Sequence, residues 1–105
     1  MLTQRDYCDY DTCVALDELG CPITKWISGD VVSTFTLYEA QKWLREEKDL
    51  YIEVTIVVSG KNYMFEIYNT ETAMLKRFVE EDYSTYEEAL LEGIKEAIKL
   101  LKEEK

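Results

Sequence analysis

Toward the end of the chain, Tyr86, Ala89, Leu90, Gly93, Ile94, Ala97, Ile98 and Leu101 fall three and four apart without a break. That spacing lines one face of a helix with about 3.6 residues per turn. Glu87, Glu88, Glu92, Lys95, Glu96, Lys99 and Lys102 fill the opposite face, acidic early and basic late, as the helix macrodipole favours. Ser84 and Glu87 form a capping-box pattern at its start, with the hydroxyl set to accept from the third helical N–H. Gly93 interrupts the stripe at a cost of up to about 1 kcal/mol relative to alanine. The spacing therefore predicts that a sheet or a second helix presses closely on this position.

The same periodicity recurs earlier. Thr36 and Glu39 repeat the capping box, and Leu37, Ala40, Trp43 and Leu44 form an apolar stripe that should end near Lys48 or Asp49. Residues 51–58 switch to period two, with Ile52, Val54, Ile56 and Val58 on one face and Tyr51, Glu53, Thr55 and Val57 on the other. Ser59, Gly60, Lys61 and Asn62 make a hairpin-type connection. Residues 63–69 alternate again, setting Tyr63, Phe65 and Ile67 against Met64, Glu66 and Tyr68. Residues 69–72 turn the chain, and 75–80 read as a third strand whose facing, Leu75 and Val79 or Phe78, the pattern leaves tied. Upstream, Asp9 or Asp11 can cap a short helix whose narrow apolar side holds Cys13, Leu16 and Leu19, with Gly20 as its left-handed stop and Pro22 beyond. Residues 23–28 read as a short extended piece around Trp26, a candidate fourth strand.

Short connections favour a meander with neighbouring strands paired. The expected fold class is α+β: a two-layer sandwich in which a three-stranded antiparallel meander packs against helices, in core order αβββα with an extra N-terminal helix. At 105 residues the chain is read as a single domain, 1–105, able to fold on one core.

Charge narrows the partners. Twelve basic against twenty-two acidic residues leave −10, concentrated in residues 1–20 and 80–105. Such a surface repels phosphate and anionic lipid, so neither nucleic acid nor membrane is an expected partner. The αβββα order is shared with double-stranded RNA-binding domains, but those place cations at the start of the last helix. Here that position holds Glu87 and Glu88. No long apolar run or export signal is visible, and a cytoplasmic location is expected.

Candidate chemistry is sparse. With no histidine anywhere, Ser/His/Asp and Cys/His nucleophile systems are excluded. Cys8, Cys13 and Cys21 match no usual zinc spacing and are read as reduced, dispensable thiols. The four glycines are scattered singly, so no phosphate-cradling loop occurs. No catalytic residue, cofactor or metal is expected, and the chain is read as not an enzyme.

The stretches Trp43-Leu44-Arg45-Glu46, Tyr51-Ile52-Glu53-Val54 and Tyr86-Glu87-Glu88-Ala89-Leu90, continued by Gly93-Ile94 and Ala97, resemble a family of short proteins encoded in phage-like and mobile elements of gut Bacteroidetes. The resemblance covers residues 36–58 and 83–101, and residues 1–35 match least. It implies a genetic context, a small accessory protein of a bacterial mobile element, and no activity or catalytic residues.

The expected function is a non-enzymatic accessory role through protein–protein interaction. The alternatives are an acidic, nucleic-acid-mimicking inhibitor of a basic protein and a small-molecule binder. The second face of the sheet is the expected interaction surface, because Tyr51, Val57, Met64 and Tyr68 make it too apolar for plain solvent while Glu53, Thr55 and Glu66 make it too polar for a core. The N-terminal segment, through Cys13, Leu16, Leu19 and Trp26, is expected to cover part of it. Another protein or a second copy, giving a homodimer, would take the remainder.

Overall fold

The computed structural model describes residues 8, 10–21, 36–57, 62–78 and 82–103. Helices α1 (Tyr10–Glu18) and α2 (Leu37–Glu47) precede strands β1 (Leu50–Ile56), β2 (Tyr63–Asn69) and β3 (Leu75–Phe78), and helix α3 (Tyr86–Glu103) closes the order. The strands form one antiparallel sheet in the order β1-β2-β3, with helices packed against it. This is the expected α+β fold with its αβββα core and extra N-terminal helix. Residues 23–28, the candidate fourth strand, and the tip of the first hairpin lie outside the described residues.

Three of the helix ends have an identifiable cause. The Thr36 hydroxyl accepts from the Glu39 N–H at 3.1 Å, and the Glu39 carboxylate accepts the Thr36 N–H at 3.0 Å, completing the expected capping box. At the end of α1, Cys21 N–H reaches the Leu16 carbonyl and Gly20 N–H reaches Asp17, both at 3.0 Å. Gly20 adopts φ +95°, so this is a Schellman stop of the kind glycine allows.

The cap of α3 differs from the expectation by one residue. Thr85, not Ser84, accepts from the helix, at 3.1 Å from the Glu88 N–H, and Ser84 instead donates to the Glu88 carboxylate at 2.9 Å. Tyr83 exchanges two backbone hydrogen bonds with Tyr63, at 2.7 and 2.8 Å, which holds the chain extended beside β2 and delays the helix.

Leu37, Ala40 and Leu44 of α2 and Ala89, Leu90, Gly93, Ile94, Ala97 and Ile98 of α3 are buried, joined by Leu100. They meet Leu50, Ile52, Phe65 and Ile67 of the sheet. A methyl group on Gly93 would stand 2.6 Å from Ile52 Cγ2 and 3.3 Å from the Phe65 ring. The pressing element foreseen at this glycine is therefore the sheet. Gln41 of α2 donates to the Ile52 carbonyl at 2.7 Å, giving β1 a side-chain partner from the helix layer.

Two expectations about the sheet change. Ile56 shares the alternation of Ile52 and Val54, which points it toward the helices, but it is 62% exposed. Full burial along β1 is confined to Leu50 and Ile52, and at the Ile56 end α3 packs on β2 instead, through the Tyr86–Tyr63 ring contact. The tie at β3 is settled by a bulge. Phe78 pairs with Glu66, Arg77 with Ile67 and Leu75 with Tyr68, with a register shift between Ile67 and Tyr68. The extra residue, Lys76, breaks the period of two, so Leu75 and Phe78 both lie on the face away from the helices. Arg77 faces the helices and bridges Glu96 at 3.4 Å and Glu103 at 3.0 Å.

The described part of the N-terminal segment also corrects an expectation. Helix α1 packs on α3, and Cys13 and Leu16 belong to the main core. A helix whose apolar side is spent there cannot cover the far face of the sheet; Trp26 lies outside the described residues. All three cysteines are free thiols, as expected, and all three are buried.

Candidate functional site

The face of the sheet turned away from the helices is built by strand alternation. The register sets Tyr51 opposite Tyr68, Glu53 opposite Glu66 and Thr55 opposite Met64 on β1 and β2, with Phe78 beside Glu66 and Leu75 beside Tyr68 on β3. None of these side chains is fully buried, and Leu75 and Phe78 are 51% and 43% exposed. Met74, just before β3, is 66% exposed.

Of the four residues expected to form the surface, Tyr51 and Tyr68 are directly paired. Met64 is four residues along β2 from Tyr68, roughly 14 Å at the rise of a strand. Val57 follows the end of β1, where its N–H bonds the Asn62 carbonyl at 2.9 Å. The aromatic pair and the Val57–Met64 end thus flank a centre occupied by Glu53 and Glu66. Leu75, Phe78 and Met74 were not singled out from sequence, since a bulge leaves no mark in the alternation of so short a strand.

A shallow groove of about 630 Å³ opens at the aromatic end, lined by Arg45, Tyr51, Glu53, Tyr68, Asn69, Thr70 and Ala73. Its floor is held by the turn after β2. Asn69 Oδ1 accepts from the Glu71 and Thr72 N–H groups at 2.9 and 3.0 Å, and Ala73 adopts φ 58°. Thr70 N–H bonds the Asp49 carbonyl at 2.9 Å, tying this turn to the start of β1. Arg45 lies 3.9 Å from Glu46.

The Tyr68 hydroxyl donates to Glu66 at 3.1 Å. That hydrogen bond, with desolvation and the charges of Glu66 and Glu53, raises the phenol above its ordinary value, so Tyr68 is a neutral donor at physiological pH. Among the described residues, no three histidine, cysteine, aspartate or glutamate side chains gather as a metal would need, and no helix is long and apolar enough to cross a membrane.

The chain matches no protein-family model, no curated protein and no solved structure.

Proposed function

We propose that this chain is a non-enzymatic accessory protein that works by binding another protein, with the open face of the sheet as its contact surface. The carrying observation is the grouping of Tyr51, Met64, Tyr68, Leu75 and Phe78 on one face, none of them fully buried. Interface centres are enriched in aromatic residues and methionine, while apolar groups scattered singly need no partner. The groove is shallow, and its lining alone favours a protein contact over an enclosed small molecule. The outer face of α3 carries Lys95, Lys99 and Lys102 among its carboxylates, so it does not present the unbroken row of negative charge that a nucleic-acid mimic requires. The family resemblance supports a setting within a bacterial mobile element, and the composition supports a cytoplasmic one.

The test is affinity capture from a Bacteroidetes lysate with wild type, Tyr68→Asp/Phe78→Asp and, as a control, Lys99→Glu on the exposed side of α3. Wild type and control should retain a protein that the face variant loses, with all three melting alike. Capture that survives the face variant would refute the reading. So would unfolding of that variant as a monomer, which would make the face ordinary core.

A further inference from the structure

We infer that the open face takes a protein segment bearing lysine or arginine among apolar side chains, its cation seated on Glu53 and Glu66. This rests on the protein-binding reading above and specifies the partner.

Glu53 and Glu66 are directly opposed on adjacent strands. Such cross-strand pairs hold their Cβ atoms about 5 Å apart, and like charges placed there oppose folding. Both residues are half-buried. The ion pairs among the described residues, Arg45–Glu46, Arg77–Glu96, Arg77–Glu103 and Lys95–Glu92, leave both out. Among the described residues the Tyr68 hydroxyl is the one side-chain donor bonded to them, and it serves Glu66 alone. The fold thus keeps, among the described residues, an acidic pair without an ion-pair partner at the centre of this face, with Arg45 lining the same groove as Glu53.

The surrounding side chains select the shape of the cation. Phe78 stands beside Glu66, Tyr51 and Tyr68 lie two positions along one way, and Met64 lies two positions along the other. A lysine or arginine stem can lie on these side chains while its head reaches the carboxylates. Arginine gains further from a forked contact with a carboxylate and from stacking on a ring. Apolar neighbours in the partner would cover Leu75 and Phe78.

Charge argues against the other occupants. Two copies joined face to face about a two-fold axis would bring Glu53 and Glu66 of one onto Glu53 and Glu66 of the other. Each copy also carries −10. Nucleic acid is repelled by the same carboxylates.

The experiment pans a random 16-residue peptide library on the full chain and titrates the enriched peptides by fluorescence anisotropy. Contacts are mapped from amide shifts, and oligomeric state is read by light scattering. The variants are Glu53→Gln/Glu66→Gln and Tyr68→Ala/Phe78→Ala. Enriched peptides should carry lysine or arginine next to leucine, isoleucine or phenylalanine and shift amides of β1 to β3. Their affinity should fall about tenfold or more with the double glutamine variant, as loss of a partly desolvated charge pair entails. That variant should melt no lower than wild type, because its change removes a repulsion, so weakened binding cannot be blamed on folding.

Acidic or neutral peptides that shift the same amides, or equal binding by the glutamine variant, would overturn the cationic partner and leave the protein-binding face standing. A wild-type dimer that Tyr68→Ala/Phe78→Ala dissociates would overturn it in favour of a second copy. Enriched peptides whose shifts all map elsewhere would remove both the inference and the reading beneath it.

Discussion

Gly93→Ala sets two calculable effects against each other. Alanine in mid-helix is favoured over glycine by about 1 kcal/mol. Against this, the new methyl would stand 2.6 Å from Ile52 Cγ2 and 3.3 Å from two atoms of the Phe65 ring. Carbon atoms prefer about 3.5–4.0 Å, so the first contact is too close by about 1 Å. Ile52 cannot easily yield, since it is fully buried and its γ-methyl hangs on a branched Cβ of restricted χ1. Overpacking of this kind costs about 1–3 kcal/mol, and two neighbours crowded at once place it in the upper part of that range. The net expectation is a loss of about 1–2 kcal/mol, or roughly 5–15 °C in Tm for a chain this size. Calorimetry of Gly93→Ala, Ile52→Ala and the double variant checks the argument. Ile52→Ala alone should cost about 2–5 kcal/mol. The double variant should cost less than the sum by about 1–3 kcal/mol, because the new methyl enters the space the isoleucine leaves. A rise in Tm for Gly93→Ala, or strict additivity, would refute the close approach of α3 to the sheet.

Other outcomes follow from the same contacts. Thr85→Ala should lower stability by about 1 kcal/mol and Ser84→Ala by clearly less, since only Thr85 accepts from the helix; equal shifts in urea melts would restore Ser84 as the cap. Arg77→Ala should cost under about 1 kcal/mol, shrinking further in high salt, because its bridges to Glu96 and Glu103 are part-exposed; a large, salt-independent loss would contradict this. Burial, with Cys13, Glu39 and Asp17 nearby, pushes the Cys21 thiol from 9.0 up to about 12. The folded state then holds this proton more tightly than the unfolded chain, so its contribution to stability is complete below pH 9 and is lost as pH rises toward 12. Urea midpoints of wild type and Cys21→Ala across that range should show a shallower decline for the variant. Cys13→Ser should cost about 1–3 kcal/mol through its buried hydroxyl, measured the same way.

The elements themselves were legible along the chain because each rests on local rules. The capping box at Thr36 and Glu39 lies within four residues, the Gly20 stop within one turn, and the alternation of Ile52, Val54, Phe65 and Ile67 follows from the pleat alone. Even the close contact at Gly93 announced itself, since a glycine amid an apolar stripe demands a compensating neighbour. Which neighbour it met could not be read, because that depends on how far α3 slides over the sheet.

What the tertiary structure decided shares one physical cause: each point depends on groups far apart in sequence. The Tyr63–Tyr83 bridge, not the local pattern, delays α3 and moves its cap to Thr85. Ile56 stands in solvent despite its place on the apolar face, since at that end α3 packs on Tyr63 of β2. The docking of α1 on α3 takes its apolar side into the main core and away from the second face. The candidate face divides the same way. Alternation placed Tyr51, Glu53, Met64, Glu66 and Tyr68 on one side, but pairing register alone set Glu53 against Glu66, and a one-residue bulge turned Leu75 and Phe78 to join them. A single inserted residue reverses the facing of what precedes it, and a strand of four residues is too short for its own pattern to reveal it.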